Sequence, residues 1–521
     1  MKRLIVTLLA LALLPACSLR QITPGAVKPS PKAGKGIFNH KDWYRSAERR
    51  ILSDALTARI RPATPAVIIA ESAEDDDCRE VQANDPAHDN GAPEMQNEVS
   101  LAISGDAVVV TYNDDNDAHT SVSGYAWSAD GGRTFTDGGP IQPPGQAFGG
   151  GDPLILADPN DPLRFLYIQL TYGGTPQSSM LIHESLDGGR TFPIEQARDL
   201  LKGLMGPVQG KPLEAPAFFH DKEWASWNGP TDTLVLAWTM FTNTSALPVA
   251  IVSTDGGRTW GDGVNLAPSG RMGGLCGTAI GPDGTLYVVW NDWNVSSLRV
   301  SRSSDGGATW EGPFEATGTF QAPFDQQATQ SCSGYTAING QIRTASIPSM
   351  AADPDTGDLY IVYNFKRDKN ADDDSDIGFV RSTDRGATWS APVVLNDDGT
   401  TTDQFQPWVA ASGGGSVLVM FYDRRDDPTN MDIHLYAAQS LDGGTTWLAN
   451  RRLTCRSFAP VTSSCYMGDY NQVVSDGSRY YLAWGDNRNT VTVGGADRFN
   501  PDVFFTTVKA KPRTRPLSRP E

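Results

Sequence analysis

The chain has 521 residues, with 43 basic against 61 acidic side chains and a net charge of −18. Phosphate contacts need clustered bases, so this acidic surface excludes nucleic acid as the expected partner; it also speaks against a simple electrostatic grip on polyanionic glycans. The length suits one large core or two smaller ones.

The first 16 residues read as a signal peptide rather than part of a fold. Lys2 and Arg3 are followed by an apolar run from Leu4 to Leu14 and the segment Leu14-Pro15-Ala16-Cys17. The run is too short to span a bilayer as a helix. A Cys at the cleavage point resembles a bacterial lipobox, which implies lipidation of Cys17 and a protein held at a membrane surface by its acyl chains. Ser18 after it implies the outer membrane if the host is Gram-negative. Residues 17–62 form the tether and its end. Pro24, Pro29, Pro31, Gly34 and Gly36 mark a linker, and residues 41–60 carry apolar groups at helical spacing, a short N-terminal helical segment.

Residues 63–510 read as one repeated all-β domain. Seven apolar second strands recur: 107–114, 164–172, 233–241, 285–292, 358–365, 416–423 and 480–486. Their openers often carry turn chemistry such as Ala-Asp-Pro, and Gly and Pro punctuate the rest. Four short strands per module make a propeller blade, so the chain is expected to form a seven-bladed β-propeller.

A second repeat runs out of phase with the strands. The octamer Ser-x-Asp-x-Gly-x-Thr-aromatic occurs six times, with its Asp at Asp130, Asp187, Asp255, Asp305, Asp384 and Asp442. Ser and Asp side chains accept backbone N–H bonds at a hairpin tip, and Gly supplies positive φ. Arg385 replaces the first Gly of one copy while Gly386 is kept, so only the second Gly position is expected to need positive φ. Spacings of 57, 68, 50, 79 and 58 residues between these Asp residues fit single blades, the longest leaving room for an insertion around residues 311–345. Six octamers in seven blades are reconciled if the octamer joins a blade's third and fourth strands. The last blade then ends on a third strand at 502–508, and the apolar run 66–70 is expected to close the ring. The Pro- and Arg-rich tail 511–521 lies outside the propeller.

These octamers are identified as Asp boxes, also called bacterial neuraminidase repeats, and the chain resembles the sialidase-like propeller superfamily. The resemblance covers roughly residues 95–508. Its sialidase members have six-bladed catalytic domains, so six blades stand as the alternative. It implies a glycan ligand and an exo-glycosidase acting on sialic acid or a related sugar. Three Arg residues would clamp the substrate carboxylate, a Tyr paired with a Glu would be the nucleophile, and an Asp the general acid. Loop position opposite the boxes selects Arg343, Arg424 and Arg488 for the clamp, Tyr466 or Tyr470 beside Glu214, and Asp114 as acid. Glu98, Asp152, Arg271, Gln406 and Asp469 occupy the same entering loops. Non-enzymatic propellers carry the box too, so a non-catalytic propeller binding a glycan or an envelope protein stands beside the enzyme.

Cysteine and metal chemistry complete the expectations. Cys455 with Cys465 and Cys276 with Cys332 are the expected disulfides of an exported protein, leaving Cys78 over. The six histidines are scattered, and no cofactor is implied. The Asp-rich loops Asp114–Asp117 and Asp372–Asp376 offer oxygen ligands for Ca²⁺.

Overall fold

The computed structural model describes residues 79–88, 96–114, 122–144, 148–172, 178–208, 210–323, 337–367, 374–460, 466–493 and 496–510. The signal, tether, N-terminal helical segment and C-terminal tail lie outside these residues. The described residues form seven antiparallel sheets arranged as the blades of a propeller and one separate two-stranded sheet, with no α-helix among them. Blade 1 shows the pattern: strands Gln96–Ser104, Ala107–Asp114, Ser123–Ser128 and Thr136–Pro140 pair in chain order. Six of the seven expected second strands match the observed ones to within a residue.

Second strands are buried on both faces, which is why they read as continuous apolar runs rather than alternating ones. Leu286–Asp292 and Phe165–Tyr172 are buried at every position. Each blade packs its neighbours through such strands. One apolar cluster joins Val108 and Val110 of blade 1 to Ala483 and Phe505 of blade 7, and another joins Ile361 of blade 5 to Val289 of blade 4.

The ring closes through its two chain ends. Val81–Gln82 adds a fourth strand to blade 7, pairing Val81 with Phe505 and Gln82 with Phe504. The closing strand is therefore Val81–Gln82 rather than 66–70, which lies outside the described residues. Two residue pairs are a short closure, and side chains reinforce it. Asn84 Nδ2 donates to Asp502 at 2.6 Å, Thr506 Oγ1 donates to the Arg79 carbonyl at 2.6 Å, and Arg488 pairs with Glu80. Blade 7 also outruns expectation, because its second and third strands continue as a long hairpin, Arg479–Val493 with Ala496–Lys509.

All six octamers join third to fourth strands, at the end where first strands turn into second strands; the Gly131 N–H donates to the Asp106 carbonyl at 2.9 Å. In the Ser253 copy, Ser253 Oγ, Thr259 N and Thr259 Oγ1 all donate to Asp255, at 2.8, 2.8 and 2.6 Å. Both Gly positions have positive φ, 69° at Gly256 and 78° at Gly257, and Arg385 itself adopts φ 62°. The expectation that only the second position needs it was too narrow: Arg385 tolerates the left-handed region while its guanidinium pairs with Asp283 at 2.9 Å.

Cys276 is a buried free thiol whose Sγ donates to the Trp238 carbonyl at 3.4 Å, so the expected Cys276–Cys332 disulfide is not made. Its place on an inner strand, facing the preceding blade, points the sulfur into the core. Cys455 is disulfide-bonded. Its expected partner Cys465 lies outside the described residues, as do Cys17, Cys78 and Cys332.

Candidate functional site

First strands line the propeller axis, and hydrogen bonds between neighbouring first strands bind them into a ring: Ser100 Oγ receives the Ile155 N–H, and Ser349 Oγ the Val409 N–H, both at 3.2 Å. In five blades this inner strand holds a left-handed residue other than glycine. They are Glu98 (φ 54°), Asp152 (φ 50°), Lys222 (φ 62°), Leu275 (φ 54°) and Gln406 (φ 50°). The ladder slips at four of these positions, between Asn97 and Ser100, Asp221 and Trp224, Gly274 and Gly277, and Phe405 and Trp408. A bulge frees its residue from pairing and re-aims the side chain. Each left-handed residue costs about 1–3 kcal/mol, which the surrounding sheet must over-determine.

Blades 1 and 3 use the bulge, and blade 2 the break between its two inner segments at Asp152, to bring charge together. Lys222 Nζ lies 3.3 Å from Glu98 Oε1 and 3.7 Å from Asp469 Oδ2. Arg343 grips Asp469 with both arms, Nε to Oδ1 at 3.0 Å and an Nη to Oδ2 at 2.5 Å. Each cation lies on an aromatic face: Lys222 3.8 Å from the Tyr470 ring centre, Arg343 4.2 Å from that of Tyr466. Asn113 Nδ2 donates to Glu98 Oε2 at 2.9 Å and approaches the Tyr466 hydroxyl at 3.3 Å, so one amide joins the acid and the phenol. Beneath them Trp224, Trp408 and Tyr470 plug the axis, the indole centres 4.3 Å apart. Arg343 and Asp469 are the most open members, at 12% and 17% exposure, against 1% for Glu98.

Burial governs the protonation of this cluster. It raises the Glu98 carboxyl to about 7, aided by Asp152, which accepts a hydrogen bond from it; Lys222 and Arg343 oppose the shift. Burial also raises Asp152, and it takes Asp221 up to about 6. Glu223 is raised well above the usual range by burial, and neither carboxyl oxygen has a side-chain partner among the described residues. Burial works against the charge on Lys222, but Glu98, Asp152, Asp469 and Asp221 outweigh it and hold the ammonium on. Both tyrosines are raised well above their ordinary value by burial, so a phenolate here requires a neighbouring base. The arrangement can bind a ligand through two cations and move a proton near neutral pH.

Of the residues chosen from sequence, Arg343 and Tyr466 meet here, with Glu98, Asp152, Gln406, Asp469 and Tyr470 from the entering loops. The pair of Tyr466 with Glu214 is not formed. Glu214 is half-buried in the loop before blade 3, where it accepts the Gly203 N–H at 3.0 Å, and the carboxyl beside Tyr466 is Glu98. Asp114 stays within its own blade, accepting from Gln96 Nε2 at 3.2 Å. Arg424 is fully buried against Asp403 in blade 6, and Arg488 is spent on Asp486 and Glu80 above the Phe504 ring. A three-Arg clamp therefore does not assemble among the described residues. The charges repeated at strand ends are structural ion pairs, as in Arg425 with Asp423 and Arg367 with Asp376.

Asp221, Lys222, Glu223 and Asn113 escaped the sequence reading. Their signal was present in Asp221-Lys222-Glu223, a charged triplet inside a strand between His220 and Trp224, both buried. Among the described residues no group of three or more His, Cys, Asp or Glu is placed to hold a metal ion. Of the Asp-rich loops considered for Ca²⁺, residues 115–117 and 372–373 lie outside the described residues.

No protein-family model matches the chain, and no curated protein matches it. Solved structures resemble it at low identity. A protein of unknown function from Dyadobacter fermentans DSM 18053 is 14% identical, the match covering 86% of this chain and 100% of that one, with a TM-score of 0.44. An ulvan lyase, a polysaccharide lyase, is 13% identical over 82% of this chain and 95% of its own, with a TM-score of 0.47. A Hadza microbial sialidase is 14% identical over 77% of this chain and 76% of its own, with a TM-score of 0.40. These likenesses decide no activity.

Proposed function

We propose that the protein is a glycan-acting enzyme working at the axial mouth, on the face opposite the octamer turns, upon a sugar that carries a carboxylate. The observation that supports it is Glu98: a buried carboxyl titrating near 7, joined through Asn113 to a phenol and flanked by a lysine and an arginine. A group poised near the working pH is suited to give or take a proton in the transition state. Glu98 gives a proton to a leaving oxygen or takes one from a bound hydroxyl. Arg343 and Lys222 receive the substrate carboxylate in place of Asp469, the most exposed acid of the cluster.

The finer reading is an exo-glycosidase acting on sialic acid or a related sugar. It has one of its three expected arginines at the site, with Lys222 as the second cation. The test is to incubate the protein with fluorogenic sialosides and with uronate-containing polysaccharides between pH 5 and 8. Release of fluorophore or new chain ends, lost in E98Q, supports the proposal; no turnover of any of them overturns it.

The second reading is a non-catalytic propeller that binds a glycan or an envelope protein. The bidentate Arg343–Asp469 pair favours it, because both cations already have a carboxylate. Saturable glycan binding without turnover would select it. Either reading is proposed to operate at the cell envelope, in the outer membrane of a Gram-negative host, on a lipid carried by Cys17. Labelled palmitate should enter the wild type and not Cys17→Ser.

A further inference from the structure

We infer that Arg424 is a positioning residue, fastening to blade 6 the hairpin that delivers Arg343 to the axial cluster. The inference rests on the reading of that cluster as the functional site. Arg343 does not belong to a blade. It ends a two-stranded hairpin, Ala337–Ile338 with Ile342–Arg343, inserted between the last strand of blade 4 and the first of blade 5. Among the described residues this sheet pairs with no other, so its placement depends on side chains. Ile338 and Ile342 are fully buried in the same apolar cluster as Phe405 and Tyr422 of blade 6, which fixes the hairpin's depth.

The turn between the strands, Asn339–Gln341, is where polar contacts fix its direction. Arg424 donates from one Nη to the Asn339 carbonyl at 2.8 Å. Asn339 Nδ2 returns to blade 6, donating to the carbonyls of Asn430 at 2.8 Å and Thr429 at 3.2 Å. Asn430 is itself locked on Asp403, receiving that residue's N–H at 2.9 Å and donating Nδ2 to its Oδ2 at 3.0 Å. The same Asp403 oxygen takes Arg424 at 3.1 Å, closing the circuit. Asp374, Asp427 and Asp432 are the other charges facing the Asp403–Arg424 pair.

The chemistry of Arg424 shows what the contact is for. Both it and Asp403 are fully excluded from solvent. Among the described residues, Nε and the second Nη of Arg424 have no hydrogen-bond partner, and neither do Asp403 Oδ1 and Gln404 Oε1. A buried ion pair with three of its five polar atoms unmet is often no more stable than apolar side chains of the same volume. An apolar side chain would fill the space, but it would not reach Asn339. That bond is the arginine's link out of blade 6, to Asn339, three residues before Ile342. A guanidinium displaced by about an ångström loses its geometry on a bound group.

The experiment compares wild type, R424Q, R424K and N339A by hydrogen exchange of residues 337–343 and by titration of carbon-13-labelled Glu98. Arg343 pulls the Glu98 carboxyl downward. Loosening the hairpin should therefore raise the Glu98 midpoint in R424Q, together with at least tenfold faster exchange in the hairpin and unchanged exchange in the first strands of blades 1–3. R424K should fall between the two. N339A leaves the buried arginine in place, so it decides the matter if R424Q fails to fold; at least threefold faster hairpin exchange is expected. Where a substrate is found, KM should rise at least tenfold in R424Q with kcat within threefold. Hairpin exchange and a Glu98 midpoint equal to wild type would overturn the inference. Absence of any turnover overturns the proposed function alone, because both physical readouts remain.

Discussion

Left-handed residues mark both ends of the blades, and the two ends use them in different ways. At the octamer turns the first left-handed position has φ between 62° and 81° in all six copies; five are glycine, and the surrounding residues barely change. At the axis the five non-glycine left-handed residues have φ between 50° and 62°, and each of their blades has a different side chain: Glu98, Asp152, Lys222, Leu275 and Gln406. A turn that satisfies its own backbone can be copied from blade to blade. A site cannot, because acid, base and cation must differ. Equivalent backbone carrying unlike side chains separates chemistry from scaffold.

The largest effect should follow from removing the axial acid. E98Q keeps the shape and the Asn113 contact but abolishes titration near neutrality. A general acid or base typically contributes about 10²–10⁴-fold, so kcat on any substrate found should fall by that factor with the melting temperature at pH 7 unchanged or raised. A loss below tenfold would move the acid–base role elsewhere in the cluster.

The pH dependence of stability tests the same carboxyls without a substrate. Glu98 is raised to about 7, and Asp221, Asp403, Asp423 and Asp502 each to about 6, all chiefly by burial. The folded state therefore holds protons that the unfolded chain has already released between its ordinary carboxyl range and pH 7. Stability should fall across that window and level off above it. The octamer Asp residues are shifted the other way by the N–H and hydroxyl groups of the turn, so their contribution is lost below about pH 4. The melting temperature should peak near pH 4–5 and be lower by about 2–4 °C at pH 8, with a shallower decline in E98Q. A flat profile from pH 5 to 8 would contradict the buried cluster.

The same contrast explains what was legible. Seven blades, the octamer position and closure through the N-terminal end followed from sequence, because each depends on local pattern: apolar runs, turn chemistry and spacing. The closing strand was misplaced because Val81–Gln82 is two residues long and gains its hold from Asn84, Glu80 and Thr506 rather than from an apolar run. At the site, loop position selected Arg343 and Tyr466, which lie in the axial cluster, and equally Glu214, which accepts within its own loop, and Arg488, which joins Asp486 to Glu80 at the ring closure. Which residues converge depends on bulges that rotate Glu98 and Lys222 toward the axis. A bulge has no residue-type signature when its left-handed position is filled by Glu, Lys or Leu.

Scaffold turns should respond in stability alone. Asp255→Ala removes the acceptor of Ser253, Arg258 and Thr259 at the end away from the axis. A loss of about 1–3 kcal/mol is expected from so many bonds to one half-buried carboxylate, read as a lower denaturant midpoint with kcat/KM unchanged. An equal fall in activity would mean that the turn face takes part in function.

The smallest change is expected at the one octamer that breaks its own rule. Arg385 holds φ 62° where the other five turns have glycine. Replacing it with glycine relieves about 1 kcal/mol of backbone strain but returns freedom to the unfolded chain, about 0.5–1 kcal/mol in the other direction. The Arg385–Asp283 pair is lost as well, but with Arg385 66% exposed such a pair is worth little. The terms nearly cancel, so R385G should stay within about 0.5 kcal/mol of wild type. Lys222→Gly makes the same backbone change at the axis, where it strips the cation from Glu98, Asp152 and Asp221, and it should destabilise by more than about 1 kcal/mol. If R385G proved the more damaging of the two, the ion pair would set the residue at the turn, and the backbone would set the residue at the axis.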